Sequence, residues 1–311
     1  MTFFDDTEIR KHAGVADQIL RAAIDGARNR DTIRRSDLDL LKYKHREKLV
    51  YVNRHSRIHW GEVVCEQLSK SLHRYDLRHD PGDEIYFATL VDISCATSLD
   101  ADDIDMEKIK RRLRWGLSGL SFFGVVEPAF YVNLQPGVRL GQTRCIFWHL
   151  HAFVWGVERR AIRKLSRELN RSGRYLPLAD GFKGVLFKRI KPGDTATVMG
   201  YMMKPPVNAY RVARRELMRE VSKVSSYGDF LAKFRQSKSR LRKGELITLF
   251  HATKHLYLDE VAVAGGDAVE LLAKAKREAC KSQANSPNVS VSPKNWRRKP
   301  RFWNGSCARR R

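Results

Sequence analysis

His149 and His151 stand two residues apart in the segment Cys145-Ile-Phe-Trp-His-Leu-His-Ala-Phe-Val-Trp155. Aromatic and β-branched residues dominate it and Pro and Gly are absent, which predicts a strand. Side chains alternate across a strand, so Phe147, His149, His151 and Phe153 share one face, and Trp148, Leu150, Ala152 and Val154 the other. Two imidazoles on one face, ~7 Å apart along the strand, suit one cation held between two ring nitrogens. They would equally suit two hydrogen-bonded core histidines. A second segment, Gly200-Tyr201-Met-Met-Lys204-Pro-Pro206, puts a phenol and an ammonium three residues apart, on one side of a predicted helix. With a free pKa of about 10, a phenol attacks well only when a cation or base assists its deprotonation. Lys204 fits that role, or the binding of a phosphate.

The elements that must position these groups follow from the pattern of the chain. Residues 84–94 read as a buried strand, 103–120 as a helix with a basic stripe, and 121–132 as a second strand. Pro128 within that strand argues for an edge, a bulge or an early end. Residues 133–143, with Pro136, Gly137 and Gly141, form a hairpin connection to the His strand. A basic helix over 158–171, a strand over 184–190 and a helix over 195–204 complete the run. Asp194 stands at the N-cap of that last helix, and Pro205-Pro206 stop it. The order β-α-β-β-α-β-α predicts an α+β fold, a split β-α-β antiparallel sheet of ferredoxin or RRM type, with one face covered by helices.

Outside this core, residues 1–80 read as a helical, basic N-terminal layer, with Trp60, Val64, Leu68 and Leu72 at helical spacing. Arg46 to Arg57, with Tyr51 interleaved, reads as a surface for tracking a nucleic-acid strand, and Pro81-Gly82-Asp83 as a turn. Residues 209–280 read as a helical, basic extension with Leu246, Ile247, Phe250 and Leu256 as core contacts and a last helix over 267–280. The tail, 281–311, is predicted to be disordered. The chain carries 59 Lys and Arg against 35 Asp and Glu, a formal charge of +24. Nine of those charges lie in the tail, so the first 280 residues still carry +15. Such an excess implies an anionic partner, nucleic acid first. Five scattered cysteines without a CxxC pair suggest reduced thiols in a cytoplasmic protein. The first residues do not resemble a signal peptide, and no apolar run is long enough to span a membrane.

Read in order, Thr89-Leu-Val-Asp92, His149-Leu-His151 and Tyr201-x-x-Lys204 resemble the three motifs of HUH endonucleases. Over residues 84–206 the chain resembles the rolling-circle replication initiators (Rep proteins) of small plasmids and phages. The resemblance implies an HUH core over residues 81–208, with the metal on central strands and the tyrosine on a following helix. It implies that His149 and His151 bind a divalent metal and that Tyr201 attacks the scissile phosphate. Lys204 would steady the phosphate or the phenolate. A third ligand is usual in the family, commonly an acid on the neighbouring strand; Glu127 is the first candidate and Asp92 the second. A mixed imidazole and carboxylate set suits Mn²⁺, or Mg²⁺ where it is abundant. Tyr210 lies beyond the Pro205-Pro206 break, so the resemblance is to the single-tyrosine class.

The expected activity is therefore metal-dependent nicking of one DNA strand at an origin, leaving a 5′-phosphotyrosine link and a free 3′-hydroxyl. The partners would be single-stranded or hairpin origin DNA and a host DNA polymerase. No Walker-type phosphate loop is present, so unwinding would fall to a host helicase. Two rivals stand beside this reading. One is a single-tyrosine HUH transposase. The other is a non-catalytic module that stacks single-stranded bases on aromatics such as Phe123, Tyr131 and Phe147. A hydrolytic zinc enzyme would differ from the nickase in forming no covalent adduct.

Overall fold

The computed structural model describes residues 7–26, 32–42, 48–76, 83–99, 104–132, 134, 143–179, 181–191, 193–214 and 234–284. Three helices come first: α1 (Thr7–Ile24), α2 (Arg35–Lys42) and α3 (Arg54–Asp76). Trp60, Val64, Leu68 and Leu72 line one side of α3 and all four are buried, as their spacing requires. Asn53 caps α3, its Oδ1 accepting from the Ser56 N–H at 3.0 Å. Its amide donates in turn to the Leu40 carbonyl at 2.7 Å, which ties α3 to α2.

The centre is an antiparallel sheet of β1 (Asp83–Thr97), β2 (Ser121–Val132), β3 (Arg144–Glu158) and β4 (Val185–Arg189), in the order β4-β1-β3-β2. Between β1 and β2 runs α4 (Met106–Arg114), followed by a 3₁₀ turn over Trp115–Leu117. Helix α5 (Arg159–Arg171) links β3 to β4, and α6 (Thr195–Met202) follows β4. The chain is thus α+β, with the expected alternation of elements through residue 202. Asp194 stands at the N-cap position of α6, but its side chain makes no capping bond.

Residues 209–260 differ from the expectation of helix. The described ones among them hold β5 (Asn208–Arg214), β6 (Phe234–Arg240) and one helix, α7 (Lys243–Thr253), with β7 (Ala262–Gly265) just beyond. Basic segments of this kind have little intrinsic preference, and an available sheet edge decides their conformation. That edge is β2. Its first half pairs with β7, Phe122 to Val125 against Gly265 to Ala262, and its end pairs in parallel with β5, Phe130 to Val132 against Ala209 to Arg211. Pro128, which has no N–H to give, falls in the gap between the two partners. Among the described residues the edge on this side is β6, whose exposed Arg235, Lys238 and Arg240 discourage further strand addition.

Helices lie on both faces of the sheet, where one covered face was expected. Val91 of β1 pairs with His149, so alternation turns Asp92 to the Trp148 and Leu150 face, where Arg112 of α4 meets it. On the His149 face, Tyr51, Trp60, Met202 and Met203 gather around Val125 and Glu127. The last helix, α8 (Ala268–Ala284), returns to α3: Gln67 donates to Glu278 at 2.6 Å and His59 Nε2 lies 2.9 Å from the Ala279 carbonyl. Because α8 runs to Ala284, the first four residues of the expected disordered tail are helical. The rest of that tail, the Pro81-Gly82 turn and most of the 133–143 connection lie outside the described residues. Among the described residues no helix is long and apolar enough to cross a membrane.

Candidate metal centre

In the register of β2 against β3, Glu127 is directly opposite His149 and Val125 opposite His151. Directly opposed residues project to one face, so Glu127 joins the two imidazoles. Gly124 permits this close pairing, since a Cβ there would stand 2.6 Å from the His151 carbonyl oxygen. His149 Nε2 lies 3.0 Å from His151 Nε2 and 4.0 Å from Glu127 Oε2, and all three ligand atoms fall within 4.8 Å of one another. Two ligand atoms at right angles, each ~2.1 Å from an ion, stand ~3.0 Å apart. The imidazole pair has that spacing. Glu127 Oε1 is buried and lacks a hydrogen-bond partner, a costly state for a carboxylate oxygen unless a cation satisfies it. The donor set thus fits a divalent metal.

Burial sets the protonation of all three groups. It lowers His149 to about 4, backbone carbonyls opposing and the Lys204 charge reinforcing the shift. Burial also brings His151 well below the usual range, with His149 and Lys204 adding to it. Both rings are therefore neutral near pH 7, as metal ligation needs. Burial raises Glu127 to about 8, against the pull of Lys204 and Arg57. A divalent cation would favour the ionised form more strongly than either side chain can.

Thr89 faces His151 from β1, its Oγ1 3.1 Å from His151 Nδ1. With Nδ1 engaged there, Nε2 is the nitrogen turned to the cluster. Phe87 stacks on the same ring at 5.0 Å between centroids. The Thr89-Leu-Val-Asp92 motif thus reaches the site through Thr89. Asp92, the second candidate for third ligand, is elsewhere: its buried carboxylate accepts from Arg112 Nε at 2.8 Å and from the Ser94 N–H at 2.9 Å.

Tyr201 sits in the last turn of α6, its ring centroid 5.8 Å from that of His151 and 5.9 Å from that of Phe87. It is 41% exposed, far more open than Glu127, His149 and His151. Helix α6 ends at Met202, short of the predicted Lys204, because the prolines that follow disfavour the helical conformation before them. Lys204 then turns back, its N–H on the Tyr201 carbonyl at 3.3 Å and its Nζ 2.9 Å from the Tyr201 ring centroid. The ammonium therefore covers the ring. Burial raises the phenol's pKa, the Glu127 charge adds to this, and Lys238 of β6 opposes it.

Sequence reasoning missed three contributors from the N-terminal layer. Tyr51, Arg57 and Trp60 line the crevice beside Glu127, and the Arg57 guanidinium lies 4.0 Å from the Tyr51 ring centroid. Tyr51 and Arg57 are buried, so this part of the supposed strand-tracking surface faces inward. The stacking platform considered for a non-catalytic binder is also absent as such: Phe123, Tyr131 and Phe147 are all buried. Tyr210 lies on β5, its ring stacked on Tyr131 at 5.4 Å, and burial first, then the charges of Tyr201 and Glu127, push it up to about 12. No protein-family model, curated protein or solved structure matches this chain.

Proposed function

We propose that the chain is a nicking initiator of the HUH type, which cleaves one DNA strand by tyrosine attack with a divalent metal bound by Glu127, His149 and His151. The observation that carries this reading is the convergence of a buried, cation-competent triad with one exposed tyrosine ring beside it. A bound Mn²⁺ or Mg²⁺ would supply charge neutralisation and orientation at the scissile phosphate. The chain's residues do the rest. Thr89 holds His151 Nδ1 from outside, which leaves Nε2 for the metal. Tyr201 Oη forms a bond to phosphorus as the bond from phosphorus to the 3′-oxygen breaks. The phenolic proton passes to solvent water, and the leaving oxygen takes one from water to become the 3′-hydroxyl. Lys204, over the ring, stabilises the negative charge that grows on the phenol. Host polymerase would extend the 3′-end and a host helicase would open the duplex.

The test is a labelled single-stranded origin oligonucleotide with Mn²⁺, run on a denaturing gel. The label should shift to protein mass with the wild type and stay free with Tyr201→Phe, while both bind the oligonucleotide equally. A free label across a broad oligonucleotide library, with tight binding retained, would overturn the catalytic reading in favour of a binding protein.

A further inference from the structure

On the sheet face opposite the metal centre an open groove of about 880 Å³ lies between α4, the β1 residues Ser94–Thr97 and the turn after α5. Its lining includes Lys108, Arg111, Arg112 and Arg174 against one acid, Asp105, whose carboxylate accepts the Lys108 N–H at 2.8 Å as the α4 cap. Arg112 is committed to the buried Asp92. Among the described residues, Lys108, Arg111 and Arg174 have no carboxylate partner, so three cations face an open cavity. Trp115 is 46% exposed, with the Arg174 guanidinium 3.6 Å from the ring centroid.

The turn that carries this tryptophan is anchored. Tyr175 is buried against its backbone, the hydroxyl accepting from the Gly116 N–H at 2.6 Å and donating to the Leu113 carbonyl at 3.0 Å. A Cβ on Gly116 would stand 2.8 Å from the Tyr175 hydroxyl, so the turn is built closely around that contact. Arg112 also donates to the Arg174 carbonyl, which anchors the backbone carrying the stacked guanidinium. The platform, its cationic cover and its support are thus fixed to one another before any ligand arrives, which reduces the ordering cost of binding.

The geometry points to a second nucleic-acid site: this groove holds a single strand, one base stacked at Trp115 and Arg174 and its flanking phosphates on Lys108 and Arg111. A half-exposed indole, a guanidinium stacked on it and cations without a carboxylate partner among the described residues, beside an apolar floor of Cys95, Ala96 and Ile109, are what sequence-tolerant strand binding requires. Binding here is independent of the nicking reading. The site's role within that reading, gripping a flank of the substrate away from the scissile phosphate, rests on it.

The test measures fluorescence anisotropy of a labelled thymidine oligonucleotide with the full chain carrying Tyr201→Phe, without divalent metal, so that cleavage chemistry plays no part. Adding Trp115→Ala should weaken binding about tenfold, and Trp115→Phe should restore most of it. Lys108→Ala with Arg111→Ala should lower the log–log salt slope by about 2. Removing two exposed charges of α5, Arg163→Ala with Lys164→Ala, provides the comparison. Unchanged affinity with Trp115→Ala, or equal losses from the α4 and α5 pairs, would overturn the site and leave only diffuse charge attraction. Thermal melting of each variant separates lost binding from lost folding. A chain that binds as described yet never forms a covalent adduct would sink the nicking reading and leave this site intact.

Discussion

His149 and His151 bring their Nε2 atoms to 3.0 Å, while Thr89 engages the far nitrogen of His151 at 3.1 Å. The second contact gives the first its meaning. With Nδ1 of His151 held from outside, the two Nε2 atoms face a common point, and Glu127 approaches it from the next strand.

Replacing either His149 or His151 by Ala should reduce Mn²⁺ binding, followed by the EPR signal of free Mn²⁺. The loss should exceed the roughly 10–100-fold typical of removing an outer hydrogen-bond partner. Undiminished affinity in both variants would place the metal elsewhere.

Thr89→Val keeps the shape of the side chain and removes its hydroxyl. Mn²⁺ affinity should drop about tenfold, and Thr89→Ser should recover it. Equal binding by the Val and Ser variants would mean that the tautomer of His151 is set some other way.

The pH dependence of stability follows from Glu127, which burial raises to about 8. In the unfolded chain its carboxyl ionises near pH 4.3. Between these values the folded state binds the extra proton, so stability falls as pH rises through the window. Metal-free wild type should therefore lose a few degrees of Tm relative to Glu127→Gln between pH 5 and pH 8, roughly the effect of 1 kcal/mol or more. Mn²⁺ at pH 8 should restore the wild type alone. Parallel Tm profiles for the two proteins would refute the buried-carboxyl account.

Lys204 is the main charge opposing that upward shift. In Lys204→Met the pH midpoint of Mn²⁺ binding should move up, since Glu127 then ionises later. Isothermal titration across pH 6–9 reads the midpoint directly; a downward move would contradict the assignment.

Gly124→Ala tests the backbone approach. Its Cβ would meet the His151 carbonyl at 2.6 Å and the Ala152 Cβ at 2.8 Å, neither of which can swing aside. Denaturant unfolding should show a loss of about 2 kcal/mol or more, with Mn²⁺ binding impaired as β2 and β3 separate. Wild-type stability would show that the strands have slack at this point.

Much of the site was legible because it rests on strand alternation. The spacing of His149 and His151 gave their common face, and the hairpin order put Glu127 on the adjoining strand. The choice between Glu127 and Asp92 was not legible. Both are carboxylates on neighbouring strands, and their separation depends on pairing register and on Arg112, which claims Asp92 from the other face. Arg57 and Tyr51 were misplaced for a similar reason. A basic run has no local mark that tells a solvated side from one turned onto a buried carboxylate. Strands β5 and β6 were missed because β2 recruits β5 and β5 in turn pairs with β6, a decision made by tertiary pairing rather than by their own residues.

The packing of α8 on α3 has a consequence in time. The helix bearing Arg57 and Trp60 beside Glu127 is held by contacts from Glu278 and Ala279, more than two hundred residues later in the chain. Contacts of such long sequence separation form late and slowly. A ribosome-bound chain that already displays Tyr201 still lacks the support of its cation-competent cluster, which waits until residues 278 and 279 have been made.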